Sequence, residues 1–354
     1  MVTRKDIANK VGVSVSVVSR ALNNSGYVRQ EKRKEILHVA EELGYHPNPV
    51  AMSLQQKRTK QILYYSKDLN NFYNIELYEG MLEEADKNGY VVLINGRFNF
   101  DIIPSLMIDG IILPNDHITG QYLDAIGKNY HLPVVTASYG EDVYFSKAVP
   151  KIETDLYEGM RKSLEYLRSK GHRKIAMISL YDIGSYHART LAWIDFMKYE
   201  LETTLEDYHF GIYKEGLHND ERVMAFLEER TTDTTNIWES YYEKGMLAAD
   251  IFHERQTDAT AVIGFNDEMT LGFCKRIKQL GYDIPKDLSL MGIDGIPAGE
   301  YNEPRLTTLE IQAREMGKKC VQELLSILNG CKEKCIIHVP TQILEKDSVR
   351  DISR

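Results

Sequence analysis

The most constraining stretch is the first two dozen residues, because they allow one local arrangement: two short helices around a glycine turn. Thr3 stands where an N-cap belongs, with Asp6 three residues on as its acidic partner. Ile7, Ala8 and Val11 recur at helical spacing. Gly12 then supplies the positive φ or close approach that a turn needs. Ser14 is placed to cap a second helix with Val18, Ala21 and Leu22 as its apolar face. Val15, Ser16, Ser19 and Arg20 occupy the other face. Short polar groups and an arginine on a short helix are what an element reading base edges in a major groove requires. A third helix is expected over residues 30–43, with Ile36, Leu37, Val39, Ala40 and Leu43 inward and Gly44 as its stop.

The chain of 354 residues is too long for one ordinary core, so a small head and a large body split in two are expected. The net charge of −9 is unevenly spread: residues 1–60 hold 11 Lys and Arg against 5 Asp and Glu, and the rest hold 32 against 47. A basic head suits phosphate neutralisation, and an acidic body is kept off a polyanion. No apolar run approaches a membrane span, and the amino terminus has no apolar signal core. Cys274, Cys320, Cys331 and Cys335 complete no zinc set and read as free thiols. Between head and body lies a joint, residues 47–60. Pro47 and Pro49 confine any helix to the six or seven residues after them, too few to be stable alone.

From residue 61 strand and helix patterns alternate. Strands are expected at 62–66, 90–95, 110–114 and 132–136, with a helix over 75–88 closed by Gly89. The order repeats with helices at 156–170, 189–201 and 269–280 and strands at 174–178, 261–265 and 288–293. Short buried strands alternating with helices predict parallel sheets with right-handed crossovers.

Particular residues add a family resemblance. Lys5-Asp6-Ile7-Ala8, Gly12-Val13-Ser14, Val18-Ser19-Arg20, Leu22-Asn23, Gly26-Tyr27-Val28 and Glu42-Leu43-Gly44-Tyr45-His46-Pro47-Asn48 together resemble the headpiece of the LacI/GalR family of bacterial transcription regulators. Farther on, Asp109-Gly110-Ile111-Ile112-Leu113, Gly171-His172-Arg173-Lys174-Ile175-Ala176, Phe265-Asn266-Asp267-Glu268-Met269 and Pro304-Arg305-Leu306-Thr307-Thr308-Leu309 resemble that family's two-lobed body. The resemblance implies an all-α helix-turn-helix headpiece over 1–46, a hinge helix and linker over 47–60, and an α/β periplasmic-binding-protein-like body over 61–354. The body would divide into an N-lobe of about 61–168 plus 312–332 and a C-lobe of about 169–311 plus 333–354.

The resemblance also implies roles. Thr3, Ser14, Val15, Ser16, Val17, Ser19, Arg20, Asn23, Tyr27 and Tyr45 would meet operator DNA. Asn48 and Leu54 would meet it from the hinge, with Leu54 and its twin wedged in the minor groove. Lys5 and Arg33 are expected at phosphates. Phe72, Tyr73, Asp155, Arg189, Trp193, Asn266 and Asp294 would line an effector site between the lobes, at strand carboxyl ends. An arginine, an amide and a carboxylate together suit a ring of hydroxyls. Asp155 equally suits a helix cap, and Trp193 a core. Two stretches depart from the family: 95–109 is short, so a helix is expected to be trimmed there, and 208–242 matches poorly. No leucine heptads follow residue 345, so a tetramer-forming tail is not expected.

No Gly-x-Ser-x-Gly, phosphate-binding glycine loop or His-Glu-x-x-His occurs, so an enzyme is not expected. The expectation is a cytoplasmic, nucleoid-associated bacterial repressor. It has no cofactor or metal, binds operator DNA as a homodimer, and responds to a small effector, a sugar first. A purine corepressor and a protein co-effector of the catabolite-control kind are the alternatives. The sequence leaves open the effector, its sign and the operator.

Overall fold

The amino-terminal helices begin and end on the chemistry their sequence shows. At the start of α1 (Arg4–Val11), Thr3 N–H donates to Asp6 Oδ2 at 2.8 Å and Thr3 Oγ1 faces Asp6 N–H at 3.4 Å, a reciprocal capping box. Gly12 closes α1 at φ 69, where a Cβ would be strained. α2 (Val15–Leu22) and α3 (Gln30–Glu42) follow. Ile7, Val11, Val18, Ala21, Ile36, Val39 and their neighbours form one core. Two expectations are corrected. Ser14 takes the N-cap position of α2, but its hydroxyl makes no cap bond and meets Ser16 Oγ at 2.8 Å. Leu37 is 46% exposed. It lies about 100° round the helix from Ile36, outside the face that Ile36, Val39 and Ala40 set.

This computed structural model describes residues 2–46, 53, 57–66, 72–96, 99–127, 132–138, 149–179, 187–205, 207–211, 241–331 and 336–353. Residues 1–59 form one compact unit and 60–354 another. In the second unit the order is β1 (Gln61–Tyr65), α4 (Phe72–Lys87), β2 (Val91–Asn95), β3 (Gly110–Leu113), α5 (Asp116–Tyr122), β4 (Val134–Ser138), β5 (Lys151–Glu153) and α6 (Leu156–Ser169). Then come β6 (Ile175–Ser179), α7 (Ala188–Asp195), β7 (His209–Gly211), α8 (Tyr241–Arg255), β8 (Ala261–Gly264), α9 (Asp267–Gln279) and β9 (Ser289–Asp294). The last are β10 (Thr307–Glu310), α10 (Ala313–Leu328), β11 (Ile336–His338) and β12 (Gln342–Leu344). They build two six-stranded sheets, ordered β11-β5-β4-β3-β1-β2 and β12-β10-β9-β8-β6-β7. Every described pairing is parallel except β10 with β12. Where the chain between β2 and β3 is short, a 3-10 helix (Phe100–Ser105) stands in for a full helix.

Helices cover both faces of each sheet, so the strands are apolar on both sides. On β1, Ile62 and Tyr64 enter one core while Leu63 and Tyr65 enter another. Each lobe also holds one close helix crossing built on glycines. A Cβ at Gly80 of α4 would strike the Arg314 carbonyl, and one at Gly317 of α10 the Leu77 carbonyl. Gly245 of α8 and Gly272 of α9 meet Met269 and Tyr242 in the same way.

Three segments cross between the sheets: Thr154–Asp155, Ile311–Gln312 and Val339–Thr341. They are tied together, with Val339 N–H donating to Glu153 O at 2.8 Å and Gln312 Nε2 to Pro340 O at 2.8 Å. The expected lobe boundaries shift accordingly. α6 packs on α7 and β10, so the first crossing falls near 154 instead of 168. β11 pairs with β5, so the chain through 338 stays with the N-lobe. Helix boundaries do not mark lobe boundaries, since a crossover helix follows its next strand.

Candidate functional site

In the head, α2 presents its outer face to solvent. Val15 is 44% exposed, and Ser16 and Arg20 are exposed beside it. Val17 is half-buried against the head core, so it has a packing role as well. Asn23 is the C-cap of α2, and Tyr27 is 82% exposed in the following loop. Thr3 is engaged in its capping box, at the same end of α1 as Arg4. Ser19 and Tyr45 are half-buried and share one partner. Arg4 donates from Nη1 to Ser19 Oγ and from Nε to Tyr45 Oη, each at 3.1 Å. Lys5 is exposed, as a phosphate contact must be. Arg33 differs from expectation: it binds Asn24 Oδ1 and Gly26 O, bracing the loop after α2. Asn48 and Leu54 lie outside the described residues.

In the body, the carboxyl ends of β6, β8 and β9 bring three of the expected effector residues together. Arg189 enters at the first turn of α7, where His187 caps by accepting Arg189 N–H at 3.2 Å. Its guanidinium lies 4.6 Å from the Phe265 ring centroid, donates to Phe265 O, and meets Asp294 Oδ1 at 3.2 Å. Asp294 ends β9 at φ 127, a conformation costly for a residue with a Cβ. Asn266 caps α9, accepting Met269 N–H at 2.9 Å, which leaves its amide N–H donors as the group to offer.

Asp267, which no sequence motif singles out, supports this arrangement from below. It is fully buried and accepts from Gly295 N–H and Ile296 N–H at 2.8 Å each and from Thr308 Oγ1 at 2.6 Å. These bonds fix the turn that carries Asp294. Burial raises the Asp267 carboxyl to about 6 despite those donors. Burial also pushes Asp294 up to about 8, against the pull of the Arg189 guanidinium. Two carboxylates and one guanidinium in a dry site make the second negative charge expensive. In sequence, Asp267 has only the signature of an acid in a first helical turn.

The other candidates are placed differently. Trp193 is corrected: it is wholly buried, its indole N–H donating to Ile175 O at 3.0 Å, and it serves the C-lobe core. Tyr73 is 4% exposed, with its hydroxyl on Met316 Sδ at 3.5 Å, so it belongs to the N-lobe core and not to an open wall. Phe72, one residue earlier, is 40% exposed. Asp155 is exposed and caps α6 by accepting Glu158 N–H at 2.9 Å. Cys274 and Cys320 are buried and Cys331 is exposed, while Cys335 lies outside the described residues. Among the described residues no helix is long and apolar enough to cross a membrane.

A three-helix head with a turn-linked second helix, ahead of a two-lobed α/β body, is the arrangement of a DNA-binding transcription regulator. Residues 3–48 match the model for bacterial regulatory proteins of the lacI family, and residues 164–349 that for the periplasmic binding protein-like domain. The chain thus carries a lacI-family DNA-binding domain followed by a periplasmic binding protein-like domain. It is 27% identical to the HTH-type transcriptional repressor PurR of Vibrio vulnificus over 369 residues, covering all of both chains. It is 28% identical to the probable HTH-type transcriptional repressor ExuR of Bacillus subtilis over 362 residues, again covering both fully. Among solved structures, it matches the lac repressor dimer bound to operator and the anti-inducer ONPF with a TM-score of 0.76. That match has 20% identity and spans 99% of each chain.

Proposed function

We propose that this regulator represses a carbohydrate-utilisation operon and leaves its operator when a small sugar binds between the two lobes. The observation that carries the reading is the Arg189–Asp294 pair at 3.2 Å, set at the strand ends beside Asn266. A planar fork of donors next to a carboxyl group matches vicinal hydroxyls, each of which donates and accepts. The ring nearest this pair is not an open face for a flat base. The Phe265 ring already carries the Arg189 guanidinium at 4.6 Å and the His187 ring at 4.8 Å.

The regulator acts as a homodimer on a near-palindromic site, each half read from Val15 to Arg20. Edge strand β2 supports this reading, since Val91, Leu93 and Ile94 are 58%, 37% and 37% exposed. An apolar edge strand is normally covered. Sugar bound to Arg189, Asn266 and Asp294 of one lobe and reaching Phe72 of the other favours one lobe arrangement. It changes operator affinity only by its differential affinity for the two arrangements.

The test is a thermal-shift panel of pentoses, hexoses, disaccharides and purine bases on wild type and Asp294→Ala. A sugar should raise the wild-type melting point and leave the variant unmoved. Stabilisation by a purine alone would overturn the sugar assignment.

A further inference from the structure

The head contains a side-chain unit that the base-reading face does not use. Arg4 stands at the first turn of α1, Ser19 on α2 and Tyr45 just beyond α3, and the guanidinium bridges them at 3.1 Å on each side. All three are half-buried. Arginine only donates, so both hydroxyl oxygens are acceptors here. A hydroxyl accepting along one lone pair keeps its own proton for another partner. Among the described residues, neither Ser19 nor Tyr45 donates that proton to an acceptor. Arg4 Nη2, with two N–H groups, is likewise uncommitted among them. One cation and two oriented O–H donors therefore sit together. Among the described residues no carboxylate is bonded to the cation: Asp6, the nearest acid in sequence, is held by Thr3. A group of this composition is complementary to an oxyanion with several acceptors.

We propose that Arg4, Ser19 and Tyr45 act as one phosphate-binding unit that grips a single DNA backbone phosphate per half-site. Arg4 is the positioning residue: it engages both hydroxyl oxygens as acceptors and so leaves their protons for the phosphate. The proposal rests on the DNA-binding reading above and adds a residue and a mode of action to it. Because the three come from α1, α2 and the segment after α3, one phosphate bound there fixes the orientation of all three helices. The contact holds the head on the duplex without itself reading a base. It predicts affinity without sequence preference, since phosphate contacts position and base contacts specify.

The test uses the full-length protein and a duplex enriched by wild type from a random 20-base-pair library. Affinity is measured between 50 and 200 mM KCl for wild type, Arg4→Ala, Arg4→Lys and Tyr45→Phe. Loss of one phosphate contact in each half-site should lower the slope of log affinity against log salt by about 0.9 per half-site in Arg4→Ala. The sequence that Arg4→Ala re-selects should be unchanged. Arg4→Lys keeps the charge but not the fork, so it should keep the slope and still lose affinity. Tyr45→Phe preserves the ring and should weaken every sequence alike. Combined with Arg4→Ala it should cost little more, because the two act together. An unchanged salt slope in a folded Arg4→Ala, or an altered base preference, overturns the proposal. If Arg4→Ala does not fold, full affinity in Tyr45→Phe overturns it. If wild type itself enriches no duplex, the DNA-binding reading fails instead.

Discussion

Replacing Asp294 by asparagine keeps the shape of the side chain and removes its titrating charge. Burial lifts this carboxyl from 3.8 to about 8. A raised value means that the folded protein holds the proton more tightly than the unfolded chain. Its contribution is therefore fully present below the unfolded value near 4 and lost as pH rises to about 8. Each pH unit across that window is worth about 1.4 kcal/mol. The stability of wild type relative to Asp294→Asn should thus fall by at most about 6 kcal/mol between pH 4 and 8, then level off. The Asp294 side chain is 10% exposed, and the water that reaches it lowers that ceiling. Urea unfolding of both proteins at pH 4.5, 6, 7.5 and 9 measures the difference. Parallel profiles would refute the reasoning. So would wild type gaining on the variant as pH rises, because Arg189 would then outweigh burial.

Three further outcomes are expected. Gly80→Ala forces α4 off the Arg314 carbonyl and should cost at least about 1–3 kcal/mol, read as a lower melting point. His172 is held below its ordinary value by burial, between Thr260 Oγ1 at 2.9 Å and Arg350 O at 3.1 Å. Its contribution is present above about 6.5 and lost as pH falls, so His172→Gln should be less acid-sensitive than wild type in melts from pH 7.5 to 5. Arg20→Ala should cost roughly 1–3 kcal/mol per half-site and relax one base position in a selection experiment; an unchanged preferred sequence would remove α2 from the groove.

What was legible in the sequence follows physical scale. The capping box at Thr3 and Asp6, the Gly12 turn and the inward faces of α1 and α3 depend on neighbours within four residues, and they hold. The long apolar strands β1, β3, β6, β8 and β9 also stood out, because both faces are buried. The three-residue strands β5, β7, β11 and β12 did not, since three residues have no period and form only where a neighbouring strand receives them. Arg189, Asn266 and Asp294 do converge, because each follows a strand end. Asp267 was passed over: its three donors lie about thirty and forty residues away in sequence. Trp193 shows the converse. A tryptophan at helical spacing suits a core better than a ligand platform, and the buried bond to Ile175 O places it in the core.

The most direct test of the central claim is a fluorescence-anisotropy titration of the full-length protein on the duplex it selects. It is run with and without the sugar that gives the largest thermal shift. The account predicts saturable, salt-sensitive binding that weakens at least about tenfold with sugar, a coupling of about 1.4 kcal/mol. No selected duplex, or an affinity that no sugar changes, would contradict it.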